Sequence, residues 1–268
     1  MKKNIFVLRG LLFMALVSCL LTACTSSDQK KTDSPSKNDS VDWEIFDGNS
    51  RGNRSLPDSP YGYELWSEGG NDYSLTWYGP HQRGGAAFRA EWNNARTFLG
   101  RVGYFWNKGQ PYTYYNNVFC DFEFTRSPNG TAGGSSYLGI YGWSKNPMIE
   151  WYIVDDWFGS GVIGPGRIGG NAVKKGEFTV DGEVYFIYQA TRPAGSGNIE
   201  GSNEPFPQYF SIRQTTRQSG KISITEHFKK WEELGMKLGD NMYEAKFLVE
   251  AGGGTGWFEA SYLSFYTE

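Results

Sequence analysis

From about Trp43 onward, apolar and polar residues alternate in short runs broken by Gly, Pro, Asn and Ser. A period of two sends successive side chains to opposite faces of a strand, so these runs predict an all-β sandwich of antiparallel strands. Candidate strands cover 85–92, 118–125, 137–143, 148–154, 183–191, 208–214, 243–250 and 258–265. One stretch departs from this period. Between Thr225 and Gly235, Phe228, Trp231 and Leu234 recur every three residues, with Thr225 as N-cap and Gly235 as terminator. That spacing predicts a single amphipathic helix packed on a sheet.

The alternation also sorts the side chains. In 137–143, Tyr137, Gly139, Tyr141 and Trp143 share a face opposite Leu138 and Ile140. In 148–154, Glu150 lies with Tyr152, opposite Ile149, Trp151 and Ile153. In 243–250, Glu250 lies with Leu248 and Lys246, opposite Phe247 and Val249. One face is therefore core, and the other is rich in tyrosine and holds two carboxylates. A carboxylate inside an otherwise apolar strand is costly unless something uses or satisfies it.

Aromatic residues alone would mark only good strand formers. Together with Glu150 and Glu250 they describe a sugar cleft, because pyranose C–H faces stack on aromatic planes and hydroxyls bond to phenols and amides. A retaining glycosidase needs one ionised carboxylate as nucleophile and one protonated carboxyl about 5–5.5 Å away as acid. Their mutual repulsion helps to set those two states. Asp155, Asp156, Glu232 and Glu233, at strand ends or on the helix, are expected to be surface charge.

Composition narrows the alternatives. The net charge of −3 gives no phosphate-binding surface, so nucleic acid is not an expected partner. Of three cysteines, Cys19 and Cys24 belong to the N-terminal leader. Cys120 alternates with Val118, Phe122 and Phe124 and reads as a buried thiol. There is no disulfide framework and no cysteine metal cluster. Two histidines, His81 and His227, support neither a zinc site nor a triad, and no cofactor is expected. Gly164 to Gly169 satisfies G-x-G-x-x-G, but no helical pattern follows, so it reads as a loop. Asn129-Gly-Thr131 is a formal glycosylation sequon and is given little weight.

The N-terminus carries Lys2, Lys3 and Arg9 before a short apolar stretch, the pattern of a signal peptide. Its end, Leu21-Thr22-Ala23-Cys24, resembles the lipobox of bacterial lipoproteins. That resemblance implies a lipid on Cys24 and attachment at the cell surface or outer membrane; ordinary secretion after cleavage near Ala23 is the alternative. Residues 1–23 are then the signal, 24–42 a disordered tether rich in Ser, Lys, Asp and Pro, and 43–268 one domain.

From about Tyr61 to the end the sequence resembles the glycoside hydrolase family 11 endo-β-1,4-xylanases. The blocks that carry the resemblance are Tyr137-Leu-Gly-Ile-Tyr-Gly-Trp-Ser-Lys-Asn-Pro-Met-Ile-Glu-Trp-Tyr-Ile-Val154, Gln208-Tyr-Phe-Ser-Ile-Arg-Gln214 and the segment 227–239. The resemblance implies a β-jelly roll of two curved antiparallel sheets with one helix and a cleft in one sheet. It implies Glu150 as nucleophile and Glu250 as acid/base. Tyr141 and Tyr152 would hydrogen-bond the nucleophile and the sugar, Gln208 would orient the nucleophile, and Trp66 and Tyr137 would be aromatic subsite residues. The segment 191–201 matches the family's thumb loop, with Arg192 on it. Xylan and xylo-oligosaccharides would be the partners of a monomer.

Three departures stand out. Thr97 occupies the position beside the acid/base where the family carries Asn or Asp. The thumb tip is Gly197-Asn198-Ile199 in place of Pro-Ser-Ile, which should make it more mobile. Ala251-Gly252 follows Glu250 in place of Gly-Tyr. A non-catalytic glycan-binding sandwich and a β-1,4-glucanase on the same scaffold are the competing readings.

Overall fold

The structure, a computed structural model, describes residues 52–55, 59–69, 72–106, 108–128, 136–161, 163–169 and 171–268, with side chains from residue 59 onward. All of these belong to one compact unit, 39–268. The expected signal peptide, Cys24, the tether and the Asn129 sequon lie outside the described residues.

In chain order the strands are β1 (Gly52–Ser55), β2 (Tyr61–Glu68), β3 (Asp72–Trp77), β4 (Phe88–Ala95), β5 (Thr97–Phe105), β6 (Val118–Arg126) and β7 (Tyr137–Lys145). They continue with β8 (Ile149–Trp157), β9 (Val173–Val180), β10 (Glu183–Arg192), β11 (Phe206–Arg213), β12 (Ser219–Ile222), β13 (Asn241–Ala251) and β14 (Gly254–Thr267). One sheet has the order β1-β2-β5-β13-β7-β8-β11-β10-β9, and the other β12-β6-β14-β4-β3. Every pairing among the described strands is antiparallel except β8 with β11, where Gln208 stands beside Glu150.

The packing follows the alternation. Leu138, Ile140, Ile149, Trp151, Ile153, Phe247 and Val249 enter the core between the sheets. Phe122 and Phe124 of β6 and Phe258 of β14 meet Phe247 of β13 there, with ring centres 5.5–5.8 Å apart. Tyr137, Tyr141, Trp143, Tyr152 and Leu248 form a second cluster on the other face of the larger sheet. Gly142 is needed where β7 crosses beneath Trp151. A Cβ there would stand 2.1 Å from the indole and 2.0 Å from the Glu244 carbonyl.

The predicted helix is α2 (Ile224–Glu233), ended by Gly235 at φ +77°. It covers the core with Phe228 and Trp231, both fully buried, and Phe228 meets the Trp151 ring edge-on at 4.9 Å. Thr225 is not its N-cap. Ser223 holds that place, and the Thr225 hydroxyl instead accepts the backbone N–H of Val118 at 2.9 Å. The helix is also not the only one: α1 (Pro165–Ile168) forms a single turn inside the glycine-rich segment expected to be a loop.

Strand limits shift for physical reasons. β4 begins at Phe88 because Gly84 and Gly85 take φ of +87° and +92° in the preceding turn. β8 runs on to Trp157, and this corrects the expectation for Asp155 and Asp156, which are fully buried. Asp155 accepts from Arg217 Nε at 2.6 Å and from the Tyr185 hydroxyl at 2.7 Å. Asp156 accepts from Arg126 Nε at 2.6 Å and Nη2 at 2.9 Å. Buried carboxylates persist when paired in this way, and their partners lie too far along the chain for a local pattern to reveal.

Candidate active site

The inner face of the larger sheet lines a cavity of about 400 Å³. Its walls include Trp66 of β2, Thr97 and Leu99 of β5, Tyr137 and Tyr141 of β7, Glu150 and Tyr152 of β8, Gln208 of β11, Arg192 of β10 and Glu250 of β13. A second cavity of about 370 Å³ shares Trp66, Leu99 and Tyr141 with the first and reaches Ser196 to Ile199 at the tip of the β10–β11 loop. Every cleft residue expected from the sequence thus borders one continuous cleft.

Glu150 is held by its strand neighbours. β7 and β8 pair Tyr141 with Tyr152 and Trp143 with Glu150. The Tyr141 hydroxyl donates to Glu150 Oε1 at 2.7 Å and the Tyr152 hydroxyl to the same oxygen at 3.0 Å. Gln208 Nε2 donates to Oε2 at 2.5 Å, a consequence of the parallel register. Trp143 Nε1 in turn donates to the Tyr141 oxygen at 2.5 Å. Three donors on two oxygens suit an ionised, acceptor-only carboxylate. Burial and the facing carboxylate push both phenols well above the ordinary tyrosine range, so they remain donors.

Glu250 has the opposite surroundings. Its Oε2 is buried without a hydrogen-bond partner. Burial, with the charge of Glu150 added, pushes its carboxyl up to about 7, against the opposing pull of Arg101 and Arg192. Two carboxylates of one cavity therefore sit in unlike surroundings, one ringed by donors and the other with its carboxyl pushed up to about 7, as acid–base chemistry requires.

The remaining residues fill supporting places. Thr97 lies on the Glu250 side of the cleft, two positions before Leu99, which pairs with Glu250. Trp66 is half-buried and borders both cavities. Tyr137 presents its ring to the cavity, while its hydroxyl is spent on the Arg167 carbonyl at 2.6 Å. Arg192 is exposed at the end of β10. The loop tip is less free than its glycines suggest, because Asn198 Oδ1 accepts the N–H groups of Glu200 and Ser202 and Ile199 packs on the aromatic cluster.

Sequence reasoning overlooked Arg101, Glu64 and Glu244. Arg101 shares a face with Thr97 and Leu99 by simple alternation, so a period-two count from Thr97 would have found it. Among the described residues no group of three or more His, Cys, Asp or Glu side chains is gathered as for a metal. His227 is buried against Phe178 and Tyr185, and burial first, then Arg217, pushes its pKa down to about 3.

Known proteins share this arrangement of strands. The profile described as Glycosyl hydrolases family 11 matches residues 58–261. Over 208 residues the chain is 47% identical to endo-1,4-beta-xylanase C of Fibrobacter succinogenes, covering 76% of this chain and 31% of that protein. Over 206 residues it is 42% identical to endo-1,4-beta-xylanase S20 of Neocallimastix patriciarum, covering 76% of this chain and 57% of that one. It thus spans less than two thirds of either relative. The crystal structure of wild-type ENZbleach xylanase aligns with a TM-score of 0.77 at 54% identity, over 84% of this chain and 87% of that one. The profile match, the relatives and the shared fold agree: the chain belongs to glycosyl hydrolases family 11.

Proposed function

We propose that the protein is an endo-1,4-β-xylanase that cleaves internal β-1,4 bonds of xylan with retention of configuration. The observation that carries this reading is the pair of unlike carboxylates, Glu150 surrounded by donors and Glu250 with a partnerless oxygen and a pKa raised to about 7. Glu150 attacks the anomeric carbon while Glu250 gives its proton to the departing glycosidic oxygen. Glu150 then carries the sugar as an ester and is no longer charged. Glu250 loses the repulsion that helped keep it protonated, and as a carboxylate it takes a proton from the water that attacks the same carbon. Bond cleavage at that carbon releases Glu150 and the sugar with two inversions.

Trp66, Tyr137 and Arg192 are assigned to holding the chain of sugars across the cleft. Xylose lacks the hydroxymethyl group of glucose, so a cleft closed over by the 191–201 loop would favour xylan over a β-glucan. The N-terminal sequence supports an exported protein tethered through a lipid on Cys24, a reading tested by palmitate labelling of wild type and Cys24→Ser in a bacterial host.

The deciding experiment measures reducing-sugar release from xylan and from carboxymethylcellulose by residues 25–268, beside Glu150→Gln. Turnover of xylan alone, abolished in the variant, is expected. Release mainly from the cellulose derivative would make the protein a glucanase. Binding of xylan without cleavage would make the cleft a binding site.

A further inference from the structure

Beside the proposed nucleophile lies a buried charge cluster that the reaction does not use directly. Arg101 on β5 is 4% exposed, Glu244 and Lys246 on β13 are 1% and 0%. The guanidinium of Arg101 donates to Glu64 Oε2 through Nε at 3.0 Å and also through Nη2. The same Nη2 lies 3.4 Å from Glu244 Oε1, and Glu244 Oε2 is 2.7 Å from Lys246 Nζ. Two cations and two anions thus balance, and Arg101 is held by two carboxylates that meet at its Nη2.

The plane so fixed faces the active site. Its central carbon lies 4.1 Å from the centre of the Tyr141 ring, close enough for a cation–π contact. Tyr141 is the phenol that donates to Glu150 at 2.7 Å. Only one aromatic ring separates the cluster from the nucleophile. A guanidinium held by two carboxylates is a rigid plate, whereas a lysine in its place would be a mobile point charge.

We propose that Arg101 is a positioning residue: clamped by Glu64 and Glu244, it holds the Tyr141 ring so that the phenol stays on Glu150. The proposal rests on the assignment of Glu150 as nucleophile. Arg101 also contributes a positive charge to the environment of Glu250. The charged and titratable groups facing Glu250 are Glu150 and Tyr152 from β8, Arg101 from β5 and Arg192 from β10, with Tyr137 and Tyr141 of β7 and Glu68 of β2 in the same cavity. Of the groups that act on Glu250, Arg101 is the leading one that favours its ionised form, so loss of its charge raises that pKa further.

The test is a double-mutant cycle on xylan with Arg101→Met, Tyr141→Phe and the double variant, alongside Arg101→Lys. Arg101→Met is expected to lower kcat about tenfold with KM little changed, as a displaced catalytic hydrogen bond does. In the Tyr141→Phe background the same substitution is expected to cost almost nothing more. The basic limb of the kcat/KM profile should move to higher pH in Arg101→Met and stay in place in Arg101→Lys. Independent, multiplying losses, or a lower melting temperature with an unmoved limb, would reduce Arg101 to a structural residue.

Should Arg101→Met not fold, Glu64→Gln loosens the clamp from its more exposed side, and its smaller loss must likewise vanish with Tyr141→Phe. Exchange of the Tyr141 hydroxyl proton with water, followed by NMR, reads the positioning without any turnover. It is expected to be slow in wild type and faster in Arg101→Met or Glu64→Gln. Unchanged protection overturns the proposal even where wild type cleaves nothing, whereas absent cleavage alone refutes only the assigned activity.

Discussion

Glu250→Gln is expected to stabilise the protein in a way that depends on pH. In the native protein the carboxyl titrates near 7, raised from 4.5 by burial and by Glu150. In the unfolded chain it titrates near its ordinary value. Between those two pH values the native state holds a proton that the unfolded state has released, so stability falls as pH rises through the window. The neutral acid's advantage is fully present below 4.5 and fully lost above about 7. From the two pKa values, wild type loses up to about 3 kcal/mol across the window, and the amide loses none of it.

Any constant cost of the amide cancels when the variant is compared with wild type at two pH values. For a domain of this size, about 3 kcal/mol corresponds to a melting-temperature difference of about 6–12 °C. Thermal melts followed by circular dichroism at pH 4, 6 and 8 would measure it. The variant's melting temperature relative to wild type should climb by that amount between pH 4 and pH 8. An equal offset at every pH would mean that Glu250 is solvated and ordinary, and the acid role would lose its physical basis.

The proposed acid role needs the same carboxyl protonated, so kcat/KM on xylan should fall above about pH 7, and in Glu150→Gln the pKa of Glu250, read by carboxyl ¹³C NMR, should drop. Gln208→Ala removes the Nε2 donor from Glu150 Oε2 and is expected to cost about 10²-fold in kcat with little change in KM. Asp155→Ala strands Arg217 and the Tyr185 hydroxyl and should destabilise by about 3–5 kcal/mol in urea titrations; a change within about 0.5 kcal/mol would mean the site behaves as surface.

Much of the fold was legible because burial imposes a period of two. Leu138, Ile140, Trp151 and Phe247 fall in the core and Tyr141, Tyr152 and Glu150 on the cleft face, as alternation requires. What escaped depends on contacts distant in sequence. Asp155 and Asp156 look like strand-end charges until Arg217 and Arg126 are brought to them by other strands. Thr225 looks like a cap until β6 offers it the N–H of Val118. The proximity of Glu150 to Gln208 is a matter of sheet register, visible only once β8 and β11 are seen to run parallel. The charge cluster around Arg101 hid for a similar reason, because its four members come from three strands.

The parallel pairing of β8 with β11 also bears on how the site comes into being during folding. Neighbouring antiparallel strands can zip from a tight turn, but this pair must close 58 residues of chain before Gln208 meets Glu150. Glu250 arrives from a strand one hundred residues beyond Glu150, and Trp66 from near the other end. No short fragment of the domain contains the whole cleft, so recovery of activity on refolding reports completion of the large sheet. A lag between the return of β-sheet signal and the return of xylan cleavage would time that last closure directly.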